Sequence, residues 1–184
     1  MELRAFEKED HDLLIGWIDS DKLNYQWGVP NFEFPLDSVQ ISNHCSQADV
    51  FPFIFIVSDQ SAGYVELFKV SESHFRICRV FVSDNFRGKG VSKLMLGQLI
   101  ELAKEKYSAS LLSLAVFERN IAARIVMSLL VLPLHRMKMA LVLSMVRFGV
   151  FYAWKNGYNK AFKTDSQRLA FSVLFCLSVY STMV

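Results

Sequence analysis

Cysteine is scarce in this chain. Three occur in 184 residues, Cys45, Cys78 and Cys176, at spacings that fit neither a disulfide framework nor a metal site, and such usage suits a reducing compartment. The four histidines are scattered without a zinc-ligand pattern, so no metal is expected. No charge sign dominates: the formal net charge is +2, and Lys and Arg form no stripe, so no nucleic acid partner is implied. The N-terminus, M-E-L-R-A-F-E-K-E-D, lacks an apolar signal region, which leads us to expect a cytoplasmic protein. A chain of 184 residues is long enough for one domain with a real core.

Acidic residues are the second scarcity, and it is local. Residues 1 to 124 hold 17 acids and 13 Lys or Arg, whereas residues 125 to 184 hold one acid, Asp165, against seven Lys or Arg. The expected division is a domain over 1–124 and an atypical apolar, basic tail over 125–184.

What is present centres on Arg79 to Leu102. Cys78 to Val82 is β-branched and aromatic and predicts a strand. Ser83, Asp84 and Asn85 turn the chain, Arg87-Gly88-Lys89-Gly90 follows, and a helix begins with Val91, Leu94, Leu96, Leu99 and Leu102 as its apolar positions. A strand running through glycines into a helix N-terminus suits an anion, because free amides and the helix dipole both favour negative charge. Lys93 occupies the last position of a G-x-G-x-x-G, and Gly90 follows Lys89 where a Walker A loop needs Ser or Thr. Neither nucleotide fingerprint is therefore met.

The run R-G-K-G-V-S over 87–92 resembles the pyrophosphate loop of the GNAT N-acetyltransferases, Arg/Gln-x-x-Gly-x-Gly/Ala, with Arg87 and Gly90 matching and Ser92 in place of the last small residue. The resemblance covers about the first 124 residues. It implies an α+β, acyl-CoA N-acyltransferase fold, a mixed central sheet flanked by helices, here with the C-terminal strands missing or replaced. It implies acetyl-CoA as co-substrate and a primary amine as acceptor, on a small molecule or a protein, and it allows a homodimer. The amides of Gly88, Lys89, Gly90, Val91 and Ser92 would take the pyrophosphate, with Arg87 and Lys89 adding charge, while the backbone of Val80, Phe81 and Val82 would pair with the pantetheine arm. Asn120 and Ala123 fit the family's Asn-x-x-Ala, where the Asn meets that arm; Asn120 also serves as a helix N-cap.

The rest of the chain reads as strand Leu3–Phe6, a helix from an Asp10 cap to Trp17, an irregular aromatic stretch over Asn24–Pro35, and a helix from Asp37 to about Cys45. Strands follow over Phe51–Val57, Gly63–Val70 and Ser110–Phe117. By the resemblance, Trp27, Phe32 and Phe34 are substrate contacts; by composition alone they equally plug the core. The family's base position is Ala115 here, so Glu66, a carboxylate amid apolar strand residues, is the candidate base with a raised pKa; an outward, solvated Glu is the other reading.

Beyond Arg124 the family pattern stops. Met127 stands where the acid Tyr belongs. Back-translating Ile125 to Pro133 and restoring one C before the first base yields H-C-Y-E-S-F-G-F-T, the ending that the resemblance calls for. A single-base deletion just after the Arg124 codon is the resulting expectation. Two further function classes stay open: a defective remnant that at most binds CoA, and a protein held at a membrane by its tail. Against the latter, Leu169 to Val184 is uncharged but short of the ~20 residues that a bilayer needs, so a membrane is not an expected partner.

Overall fold

Short-period apolar patterns and tight turns build the first half of the molecule into a sheet. The computed structural model describes residues 1–28, 30–115, 123, 126 and 138–142. The strands are β1 (Glu2–Ala5), β2 (Val50–Val57), β3 (Gln60–Lys69), β4 (His74–Val82), β5 (Leu111–Ala115) and β6 (Lys138–Val142). They lie in that order in one sheet. β1 to β4 pair antiparallel, whereas β4–β5 and β5–β6 pair parallel, so the sheet is mixed. The parallel β4–β5 step needs a crossover, which α4 (Val91–Tyr107) supplies. Three short helices, α1 (His11–Trp17), α2 (Asp21–Gly28) and α3 (Ser38–Cys45), fill the connection between β1 and β2. This is the expected α+β arrangement. Beyond residue 124, β6 is a strand where the sequence showed no recognisable counterpart.

Each face of the sheet has its own core. On one, Val65 and Leu67 of β3 and Phe75, Ile77, Val80 and Val82 of β4 pack with α4. On the other, Ile54, Tyr64 and Phe81 pack with Leu14, Trp27, Phe32 and Ile41 from the α1–α3 region. The helix α4 turns inward Val91, Met95, Leu99 and Ala103, with Ser92, Leu96 and Ile100 beside them. These are two i, i+4 rows. Leu94, expected in the apolar stripe, falls outside both rows and is 46% exposed.

Two local expectations change. Asp10 does not cap α1 through its side chain. Its carboxylate instead receives both Arg4 terminal nitrogens at 2.6 Å and the Glu7 amide at 2.9 Å, tying β1 to the turn that starts the helix. Arg4 and the Glu7 amide outweigh the cost of burial and hold Asp10 below the usual carboxylate range. The stretch expected to be irregular opens with α2, because Leu23 and Trp27, four apart, bury the same helix face. Asp37 does cap α3, accepting the Gln40 amide at 2.8 Å.

Candidate active site

The glycine loop owes its shape to two positive φ angles, 70° at Gly88 and 74° at Gly90. L-residues avoid that region, so glycine is the residue that lets the chain turn into α4 here. Gly90 is the N-cap of α4, and the unpaired amides of the first helical turn point along the axis out of the helix. The loop's own cations lie over it. Arg87 donates from Nε to the Val82 carbonyl at 3.1 Å and pairs with Asp84 at 2.6 Å, its guanidinium 5.7 Å from the Phe81 ring. Lys89 donates to the Asn85 carbonyl at 2.8 Å. Arg87 therefore braces the end of β4 as well as charging the loop.

Among the described residues, β4 pairs with β5 from His74 to Ile77, and its other edge stays bonded to β3 up to Val82. Between Cys78 and Phe81 the register shifts: Glu66 faces Cys78 and Tyr64 faces Phe81, so β4 carries one extra residue. Arg79 absorbs it at φ 49°. Because side chains alternate along a strand, one added residue reverses their facing. Phe75 and Ile77 before the bulge and Val80 and Val82 after it all reach the α4 core, and Phe81 joins the other. Across from this segment lies Gly63, where a Cβ would come within 2.5 Å of the Phe81 carbonyl oxygen. Two backbones thus meet at a point where only glycine fits.

Behind this segment sits a buried polar cluster. Glu66, fully buried on β3, receives Arg79 NH1 at 2.5 Å and the Tyr64 hydroxyl at 2.5 Å, and shares a hydrogen with His44 Nε2 at 3.1 Å. The indole of Trp27 donates to the Arg79 carbonyl at 3.1 Å, and Phe32 lies under the guanidinium at 5.3 Å. Burial alone would raise the Glu66 pKa, but the Arg79 guanidinium, helped by His44 and Tyr64, brings it down to about 2. The raised pKa expected of a base is thereby overturned. Burial first, and Glu66 second, push the Cys45 thiol up to about 12, and the same pair of causes raises the Tyr64 phenol well above 10.

The aromatic candidates divide. Trp27 and Phe32 stack on each other at 5.4 Å and are almost wholly buried, so both belong to the core and not to a substrate wall. Phe34 is 43% exposed. A cleft of about 230 Å³ opens instead beside the loop, lined by Trp17, Asp19, Ser20, Lys22, Leu23, Asp84 and Arg87. Trp17 stacks on Phe81 at 5.3 Å, which puts the cleft next to the end of β4. Asn120 and Met127 lie outside the described residues, and Ala123 is buried.

Sequence reasoning missed Arg79, His44 and Tyr64. One signal for Arg79 was legible: in H-F-R-I-C-R-V-F-V the apolar residues that share a core sit at 75 and 77, then at 80 and 82. That change of parity marks a bulge. His44 and Tyr64 carry no such mark.

Comparison with known proteins agrees with this geometry. No curated protein matches the chain closely. A solved spermidine N-acetyltransferase from Vibrio cholerae, in complex with CoA and spermine, superposes with a TM-score of 0.60 at 15% identity, covering 70% of this chain and 78% of that one. The aminoglycoside acetyltransferase AAC(6')-Ib, in complex with coenzyme A and kanamycin, gives 0.58 at 15% identity, covering 70% and 81%. A transcriptional regulator from Bacillus halodurans gives 0.53 at 16%, covering 70% and 90%. These likenesses carry the fold. The family itself rests on sequence: residues 14–128 match the acetyltransferase (GNAT) family, and the chain, with its strand, glycine loop and helix, belongs to that family of acetyl-CoA-dependent N-acetyltransferases.

Proposed function

We propose that the chain transfers an acetyl group from acetyl-CoA to a primary amine held in the cleft beside Phe81. The observation that carries this reading is the strand β4 running through Val80–Val82 directly into the positive-φ glycine loop and the α4 N-terminus. The pantetheine arm would lie along this segment as an added strand. Amides from Gly88 to Ser92 would take the pyrophosphate, with Arg87 and Lys89 contributing charge. By the family pattern, Asn120 would also meet the arm. The amine nitrogen attacks the thioester carbonyl, the carbon–sulfur bond breaks, and the coenzyme leaves as thiolate. A backbone amide of β4 would polarise that carbonyl. The amine's proton would pass to solvent in the cleft, since Glu66 is shut away behind the sheet and held ionised by Arg79.

Asp19 and Asp84 at the cleft are matched there by Lys22 and Arg87, so its charge balance leaves the acceptor open. Spermidine, kanamycin and a peptide amine are the three acceptors to compare. The first experiment is a thermal melt of the full chain with acetyl-CoA and a Gly90→Asp control. At about 100 times its Kd the coenzyme should add roughly 2.7 kcal/mol to the wild type alone. Thiol release with each amine then reads turnover. A wild-type melt unmoved by acetyl-CoA would sink this reading.

A second reading has its own support. The acid-poor composition after Arg124, and Met127 in place of a proton-donating Tyr, favour a chain that binds CoA without turnover. On that reading the domain spans 1–124, and residues 125–184 are a tail. The wild-type melt would shift while no amine releases thiol.

A further inference from the structure

We propose that Glu66 and Trp27 are positioning residues, which together clamp the Arg79 bulge of β4 and so set the backbone of Val80–Val82 in the posture that receives the coenzyme. This rests on the acetyl-CoA reading above for the identity of the ligand, though not for the clamp itself.

Arg79 is held from both ends. Its side chain is only 3% exposed and ends on the Glu66 carboxylate at 2.5 Å. Its carbonyl receives the Trp27 indole N–H at 3.1 Å. A non-glycine residue at φ 49° has neighbouring backbone minima open to it, so the bulge needs holding. The clamp also specifies where the extra residue sits. Moving it one place along β4 would pull the guanidinium away from Glu66 and leave a carboxylate buried without its cation. Losing the extra residue altogether would turn Val80 and Val82 away from the α4 core and Phe81 away from the helical face.

Each partner of the clamp is itself fixed. Glu66 is also bound by Tyr64, two residues back on the same strand, and by His44 on α3. Asn31 reaches the other His44 ring nitrogen at 3.4 Å. Trp27 is set by its stack on Phe32 and its edge contact with Tyr64 at 5.6 Å. Asn24, one turn earlier on α2, donates to the Phe32 carbonyl at 3.2 Å and closes the loop that carries Phe32. Helices α2 and α3 are thereby coupled to one backbone unit of β4. That unit lies one residue before the segment that would pair with the pantetheine. A one-residue slip there would move every amide of the segment by more than a bond length, which hydrogen bonding to a ligand does not tolerate.

The test compares three full-length variants with the wild type. Trp27→Phe removes the indole N–H and retains a stacking ring. The double change Glu66→Leu with Arg79→Met removes both charges together, so no lone buried ion remains to unfold the protein. Leu99→Ala loosens the α4 face and serves as a control of matched instability. All are measured well below their own melting points, for CoA affinity by calorimetry and for amide hydrogen exchange of Val80–Val82. We expect both clamp variants to bind CoA roughly tenfold more weakly and to exchange those amides faster than the rest of the sheet. The Leu99→Ala protein should keep the wild-type affinity. Wild-type affinity and exchange in the two clamp variants would overturn the proposal. So would equal losses in the Leu99→Ala control. If the wild type binds no CoA, the enzyme reading fails, and local exchange at Val80–Val82 still decides the clamp.

Discussion

The two faces of the sheet are built by different rules. The α4 face is apolar and repetitive: β-branched and aromatic strand residues meet two i, i+4 rows of one long helix. The α1–α3 face is covered by three helices of eight residues or fewer, and within its aromatic layer it buries a carboxylate, a guanidinium, an imidazole and a phenol. The first face needs volume and apolarity, and many sequences meet that need. The second needs particular donors opposite particular acceptors, since an unpaired buried charge is costly. The Arg79 bulge of β4 and the cleft lie on this second side or at its border. One face makes the fold, and the other shapes the site.

That contrast can be broken most severely on the polar side. Glu66→Ala should leave Arg79 buried without its anion and cost about 3–5 kcal/mol, read as a lowered denaturant midpoint. Leu99→Ala, on the apolar side, should cost about 2–5 kcal/mol through the cavity left at a fully buried site, with CoA affinity per folded molecule unchanged. Gly63→Ala sits where the faces join. Its Cβ would press on the Phe81 carbonyl, and we expect a loss of about 1–3 kcal/mol together with weaker CoA binding.

Acid titration sharpens the same contrast more gently. Glu66 is held at about 2 in the fold against an ordinary 4.5, so below 4.5 the unfolded chain takes up the proton first. The stability that Glu66 contributes is complete above 4.5 and is lost as the pH falls toward 2. Stability of the wild type should therefore fall across that window, and Glu66→Gln should flatten the slope while Leu99→Ala leaves it unchanged. The smallest effect belongs to Leu94→Lys. At 46% exposure it should change stability by about 0.5 kcal/mol or less, although periodicity counted Leu94 among the apolar positions of α4.

Local patterns made much of the fold legible. The strand Cys78–Val82, the glycine turn and the helix that follows each depend on neighbours in sequence, and all three stand where the residues place them. The hairpin of β2 and β3 and the Asp37 cap of α3 are local in the same sense. The α2 segment was less legible. Its Tyr, Trp and Gly suggested irregular chain, and what makes it helical is the burial of Leu23 and Trp27 against the sheet. Trp27 itself stayed open between substrate contact and core, because an aromatic near a pocket and an aromatic beneath one are identical on paper.

By itself, then, the sequence determined the coenzyme-loop unit: a β-branched strand, glycines able to take positive φ, and an amphipathic helix are properties of adjacent residues. Only the tertiary structure decided what Glu66 is. A carboxylate among apolar strand residues reads as a base with a raised pKa, and desolvation alone would make it one. The fold brings to it a guanidinium 13 residues away and an imidazole 22 residues away, and Coulomb attraction at hydrogen-bond distance outweighs the cost of burial. Such proximity between distant residues is fixed by strand register and helix docking, and no run of neighbouring letters encodes it.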